Sequence, residues 1–143
     1  MTDPSQEILQ AVETALEGNL KYPATTGDLW HVYSDDPKGN IGRYVVLVDL
    51  NMFDDEGDDT LDCDLTLEVV DGARYVGNAK LAPVNAIGSQ IVALMAKVDI
   101  SMTTYKMTVL PFIEEADVFR DINPDNTISP RKVLRFRFSV KEK

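Results

Sequence analysis

The sequence has little of what most catalytic and metal chemistry needs. It carries one cysteine, Cys63, one histidine, His31, and one tryptophan, Trp30, in 143 residues. A lone cysteine forms no intrachain disulfide. One His with one Cys is too few for the usual structural zinc sets, and a single His leaves few routes to a catalytic triad. No apolar run approaches the roughly 20 residues of a membrane-spanning helix. Met1-Thr2-Asp3-Pro4 has no basic segment leading into an apolar one, so no secretory signal and no membrane partner are expected. A phosphate cradle is missing too, because Gly39 and Gly42 lead into a strand-like run rather than a helix. The acidic turn Asp54–Asp59 matches a calcium loop only in composition. With Gly57 at the sixth position, the first ligand would fall on Met52. The expectation is a protein that is not an enzyme and has no cofactor, metal or catalytic residue.

Bases are also scarce. There are 14 Lys and Arg against 24 Asp and Glu, a net charge of −10, and they are unevenly placed. Residues 1–71 carry a net −14 and residues 72–143 a net +4. The stretch 49–71 holds ten acids and no base, whereas 131–143 holds six bases against Glu142 alone. Such an acidic half is poorly suited to a nucleic-acid backbone. Opposed patches do suit head-to-tail association of copies, unless both are simply solvated surface.

What is present is enough for a core. At 44% hydrophobic residues, the chain reads as a single domain over 1–143. Asp3 is placed to cap a helix over about 4–17, with Pro4 at its first position, Gln6 as capping-box partner and Gly18 as stop. Ile8, Leu9, Val12, Ala15 and Leu16 make its apolar face. Residues 19–28 read as a loop, 29–33 as a short strand, 34–40 as a turn and 43–50 as a strand rich in β-branched residues. The cleanest signal is period two: Leu61, Cys63, Leu65, Leu67 and Val69 alternate with polar neighbours. Cys63 therefore reads as a small core residue, and His31 as a strand residue.

Beyond a linker or irregular strand at 71–82, with Tyr75 and Val76 available for packing, Pro83 starts a second helix striped by Ile87, Ile91, Leu94 and Met95. Gly88 within it suggests close packing on a sheet. A strand at 105–110 is expected to be interrupted or ended by Pro111, with another short strand at 116–120 and a turn at 121–126. In the last strand, Leu134, Phe136, Phe138 and Val140 face one way. The fold class is α+β, a mainly antiparallel sheet with two helices on one face, in the order helix, three strands, helix, two or three strands. Asp62, Asp64 and Glu68 would lie on the opposite face with Arg135 and Arg137. They would form opposite-charge pairs if the third and last strands are neighbours.

In this order and these phrases the chain resembles the tail-completion, or tail-terminator, proteins of long-tailed bacteriophages. The resemblance rests on the first helix and on Val32-Tyr33-Ser34-Asp35-Asp36-Pro37 followed by Tyr44-Val45-Val46-Leu47. It continues through the alternating strand Leu61–Val69, the helix Val84–Ala96, Phe119-Arg120-Asp121 and the terminal Val133–Phe138. Arg43 stands where that family often has proline, and 71–82 and 111–130 are longer than usual. The resemblance implies a structural virion protein in the tail or neck, assembled in the host cytoplasm into a hexameric ring. The ring would end tail-tube polymerisation, contact the tube protein and a head-completion or connector protein, and pass DNA through its lumen without reading it. The subunit or lumen interface would draw on Asp54, Asp55, Glu56, Asp58, Asp59, Asp62, Asp64, Glu68, Arg135 and Arg137. The alternatives are another neck, connector or tail component, or an acidic module that masks a basic protein surface.

Overall fold

A computed structural model describes residues 3–34, 42–54, 59–97 and 102–143. Helix α1 spans Ser5–Leu16 and buries Ile8, Val12 and Leu16, one side chain per turn. Its cap lies one residue later than expected, at Pro4, whose carbonyl accepts the N–H of Ile8 at 2.9 Å. Asp3 still satisfies a first-turn donor, because its carboxylate accepts the N–H of Ser5 at 2.9 Å. A two-residue hairpin follows where a loop was expected, β1 (Lys21–Tyr22) against β2 (Asp28–Leu29).

The main sheet holds β3 (His31–Tyr33), β4 (Arg43–Asp54), β5 (Thr60–Asp71), β6 (Tyr105–Ile122) and β7 (Ile128–Glu142) in the order β3-β4-β5-β7-β6. Helix α2, Ala82–Lys97, joins β5 to β6. This is an α+β fold with an antiparallel-dominated sheet. The third long run and the last strand are neighbours, with β7 inserted between β5 and β6.

The core lies between the helices and one face of the sheet. Leu61, Cys63, Leu65, Leu67 and Val69 of β5 are buried beside Leu134, Phe136, Phe138 and Val140 of β7. Val84, Ile87, Ile91 and Met95 of α2 join them with the α1 residues, in one cluster. Gly88 faces the Lys132 side chain of β7. A Cβ there would sit 3.0 Å from Cδ of Lys132, whose ammonium donates to Oδ1 of Asn85 at 3.1 Å.

Two expectations are corrected. Pro111 neither ends nor splits its strand: β6 runs 18 residues through it. β6 is an edge strand, so an outward N–H is not needed there, and register shifts at Met107/Val109, Val109/Phe112 and Ile113/Glu115 absorb the irregularity. β3 runs parallel to β4, although a short connection favours an antiparallel pair. Its direction is set from outside the sheet. Glu17, at the end of α1, accepts the N–H of Val32 at 2.7 Å and meets Nδ1 of His31 at 2.7 Å. Tyr75, in the expected linker or irregular strand, pairs antiparallel with Ile128. Of the expected turn at 34–40, all but Ser34 lies outside the described residues.

Candidate assembly surface

The helices cover one face of the sheet. The other carries rows of side chains, because residues directly opposite in antiparallel strands share a face. Across β4, β5, β7 and β6 the rows run Phe53–Asp62–Ser139–Val109, then Asn51–Asp64–Arg137–Phe112. Next come Asp49–Thr66–Arg135–Glu115, Val46–Glu68–Val133–Asp117 and Tyr44–Val70–Arg131–Phe119.

The arginines of β7 stand between two acidic strands: Arg131 and Arg137 are held from both sides, and Arg135 from β6 alone. Arg137 Nε donates to Oδ1 of Asp64 at 3.0 Å and its Nη1 lies 3.6 Å from Glu114. Arg135 Nη2 donates to Glu115 at 2.9 Å. Its buried Nε lies 3.3 Å from Glu114 but off the hydrogen-bond direction. Arg131 donates to Glu68 at 2.7 Å and to Asp121 at 3.0 Å, with its guanidinium 4.7 Å from the Phe119 ring centroid. Hydrogen bonding to Asp64, then its charge and that of Glu114, raises the pKa of Arg137. The bond to Asp121 does most to raise that of Arg131, against some burial. Asp62 accepts from the hydroxyl of Ser139 at 2.6 Å. The three guanidiniums and five carboxylates form two groups, Arg131 with Glu68 and Asp121, and Arg135 with Arg137 through a shared Glu114, and together they are net acidic. The cationic donors already face protein carboxylates, so the face has little to offer a phosphate.

The structure thus gathers Asp62, Asp64, Glu68, Arg135 and Arg137 on one face, within a single chain. Asp54 ends β4 and Asp59 precedes β5, both exposed. Asp55, Glu56 and Asp58 lie outside the described residues. Sequence reasoning missed Glu114, Glu115, Asp121 and Arg131. The three acids were hidden because Pro111 broke the reading of β6, and Arg131 because the last strand was expected to start at Val133.

A second polar cluster sits at the far end of the sheet. The carboxylate of Asp71 is fully buried, and its Oδ1 accepts from Arg43 Nε at 2.9 Å and from the N–H of Ala73 at 3.0 Å. Tyr75 donates its hydroxyl to Oδ2 at 3.0 Å. Burial works against the Arg43 charge, but Asp71 and Tyr75 outweigh it and the pKa is raised. Burial, then the bond to Asp71, raises the pKa of Tyr75. The Arg43 guanidinium also lies 5.6 Å from the Trp30 ring centroid. This is the arrangement of a structural ion pair. Burial, followed by the charges of Asp62 and Asp64, pushes the Cys63 thiol up to about 12. Among the described residues, no three His, Cys, Asp or Glu side chains are grouped to hold a metal ion. None of the described helices is long and apolar enough to cross a membrane.

A chain in the virion of a native gene transfer agent particle is similar in structure. The TM-score is 0.73 at 20% identity, over 99% of each chain. At that identity the likeness establishes a shared fold from end to end. No family model and no curated protein sequence matches the chain.

Proposed function

We propose that this chain is a structural component of a tailed, phage-like virion and acts there without catalysis. The observation that carries this reading is the end-to-end likeness to a chain of a gene transfer agent virion. The finer reading is a ring of copies, six in number, at the head-proximal end of the tail. It stops growth of the tail tube, joins the tube protein to a head-completion or connector protein, and lets DNA through.

The physical support is the uncovered sheet face. A surface along which DNA must move is best served by acidic, already satisfied groups. The β7 arginines are each bracketed by carboxylates and are not free to hold phosphates. Cryo-electron microscopy of particles, with mass-spectrometric stoichiometry, tests the reading. Six copies per particle at the neck are expected, and particles made without the chain should show unjoined heads and tails of uncontrolled length. Twelve copies would assign it to another connector. Absence from the particle, with tight 1:1 binding to a basic protein, would replace the reading with the acidic masking module.

A further inference from the structure

Among the described residues the main sheet has two open edges, and they lie at the same height. β3 covers β4 only opposite Tyr44–Val46, so among the described residues no strand lies beyond β4 from Val48 to Asp54. On the other side, among the described residues, β6 has only β7 as neighbour. The rows place Phe53 level with Val109, and Asn51 level with Phe112. Both edges are apolar where they are open. Phe53 is 54% exposed and Val48 50%, while Phe112 is 47% exposed and Val109 45%. Long exposed apolar edges are what isolated folded proteins avoid, since they template pairing with other chains.

We infer that the Val48–Asp54 edge of β4 binds the Val109–Ile113 edge of β6 on a second copy of this chain. This rests on the ring reading above and names the contact that would close it. Three features favour a copy over a foreign partner. The strand sense fits, because β4 and β6 run in opposite directions in the sheet, so a sheet continued into the next copy joins them antiparallel. The charges fit at one end, where Asp54 is level with Met107 beside Lys106, while Asp49 is level with Glu115, whose charge Arg135 already meets. The contact uses two different patches, the heterologous geometry that closes rings, and their common height keeps successive copies level. The bulges around Val109 and Phe112 disfavour generic flat pairing and leave side-chain fit to select the partner.

The test is subunit mixing. Phe53→Asp spoils one edge and Phe112→Asp the other, at half-exposed positions where folding, checked by circular dichroism, should persist. Native mass spectrometry should show oligomers for the wild-type chain and monomers for each variant alone. An equimolar mixture of the two variants should give dimers and nothing larger, because only one good junction can form. Should either variant fail to fold, Val48→Asp and Val109→Asp replace them on the same edges. Wild-type oligomers that survive both substitutions overturn the edge assignment while leaving a ring intact as an idea. A wild-type chain that stays monomeric to its solubility limit overturns it as well. Particles containing only solitary subunits would instead refute the ring reading itself.

Discussion

Removing the positive charge of Arg43 should cost far more than removing that of Arg137, although each pairs with an aspartate at 2.9–3.0 Å. The difference is burial. Arg43 is 40% exposed, but its partner Asp71 is 0% exposed; Arg137 is 47% exposed and Asp64 15%. Breaking a buried pair by deleting one partner costs about 3–5 kcal/mol, mostly the penalty of the charge left behind. Asp71 would keep the Ala73 and Tyr75 donors, and Arg43 already reaches water, so the lower end applies. Arg43→Met should therefore destabilise by about 3 kcal/mol, with methionine preserving much of the contact with Trp30. Arg137→Met should cost under about 1 kcal/mol, as exposed pairs do. Urea denaturation with unchanged slope gives both values. Adding Asp71→Asn to Arg43→Met should recover at least about 1.5 kcal/mol, because the buried charge is gone while an amide can still bond Ala73 and Tyr75. Equal losses for the two arginine variants, or no recovery in the double variant, would refute this reasoning.

Cys63, with its thiol pushed up to about 12, should resist alkylation at neutral pH in the folded protein and label only as fast as the chain opens. Rapid native-state labelling would show that β5 is not sealed. Asp125 has its pKa lowered from 3.8 to about 2 by the Thr127 hydroxyl, the Thr127 N–H and, after some opposing burial, Arg74. Its contribution is then present above pH 3.8 and lost as pH falls through about 2. A carboxyl titration by NMR with a midpoint near 3.8 would contradict the turn geometry. Gly88→Ala should change stability little, since roughly 1 kcal/mol of helix propensity is offset by displacing Lys132. In a Lys132→Ala background the same change should stabilise by about 1 kcal/mol, measured by thermal melting.

The parts of the fold legible in the sequence are those where period and burial coincide. β5 alternates without a break from Leu61 to Val69 because one face meets the helices and the other meets solvent. The α1 stripe and the inward residues of β7 follow the same logic. β6 was illegible because almost all of it is exposed, so no alternation marks it, and Pro111 reads as a breaker unless the strand is known to be an edge. The direction of β3 depends on Glu17, 15 residues before Val32, and no local pattern encodes that. On the candidate surface, the pairing of Asp64 with Arg137 was readable from alternation, whereas the roles of Glu114 and Glu115 depended on extending β6.

The charge asymmetry along the chain does not survive as an equal asymmetry in space. β7 carries its arginines between the acids of β5 and β6, so Arg131, Arg135 and Arg137 are met by Glu68, Asp121, Glu114, Glu115 and Asp64 of their own chain. A basic patch spent in this way cannot steer another copy strongly. If copies nevertheless join, the apolar edges must supply the attraction, and the net charge of −10 opposes it. Salt separates the two cases. Raising it from about 0.1 M to about 1 M shortens the screening length from about 10 Å to about 3 Å. Association driven by opposed halves should weaken over that range, whereas association through Phe53 and Phe112 should hold or strengthen as self-repulsion is screened. Sedimentation at both salt concentrations measures the difference, and a tenfold or greater loss of affinity at the higher one would return the attraction to the charges.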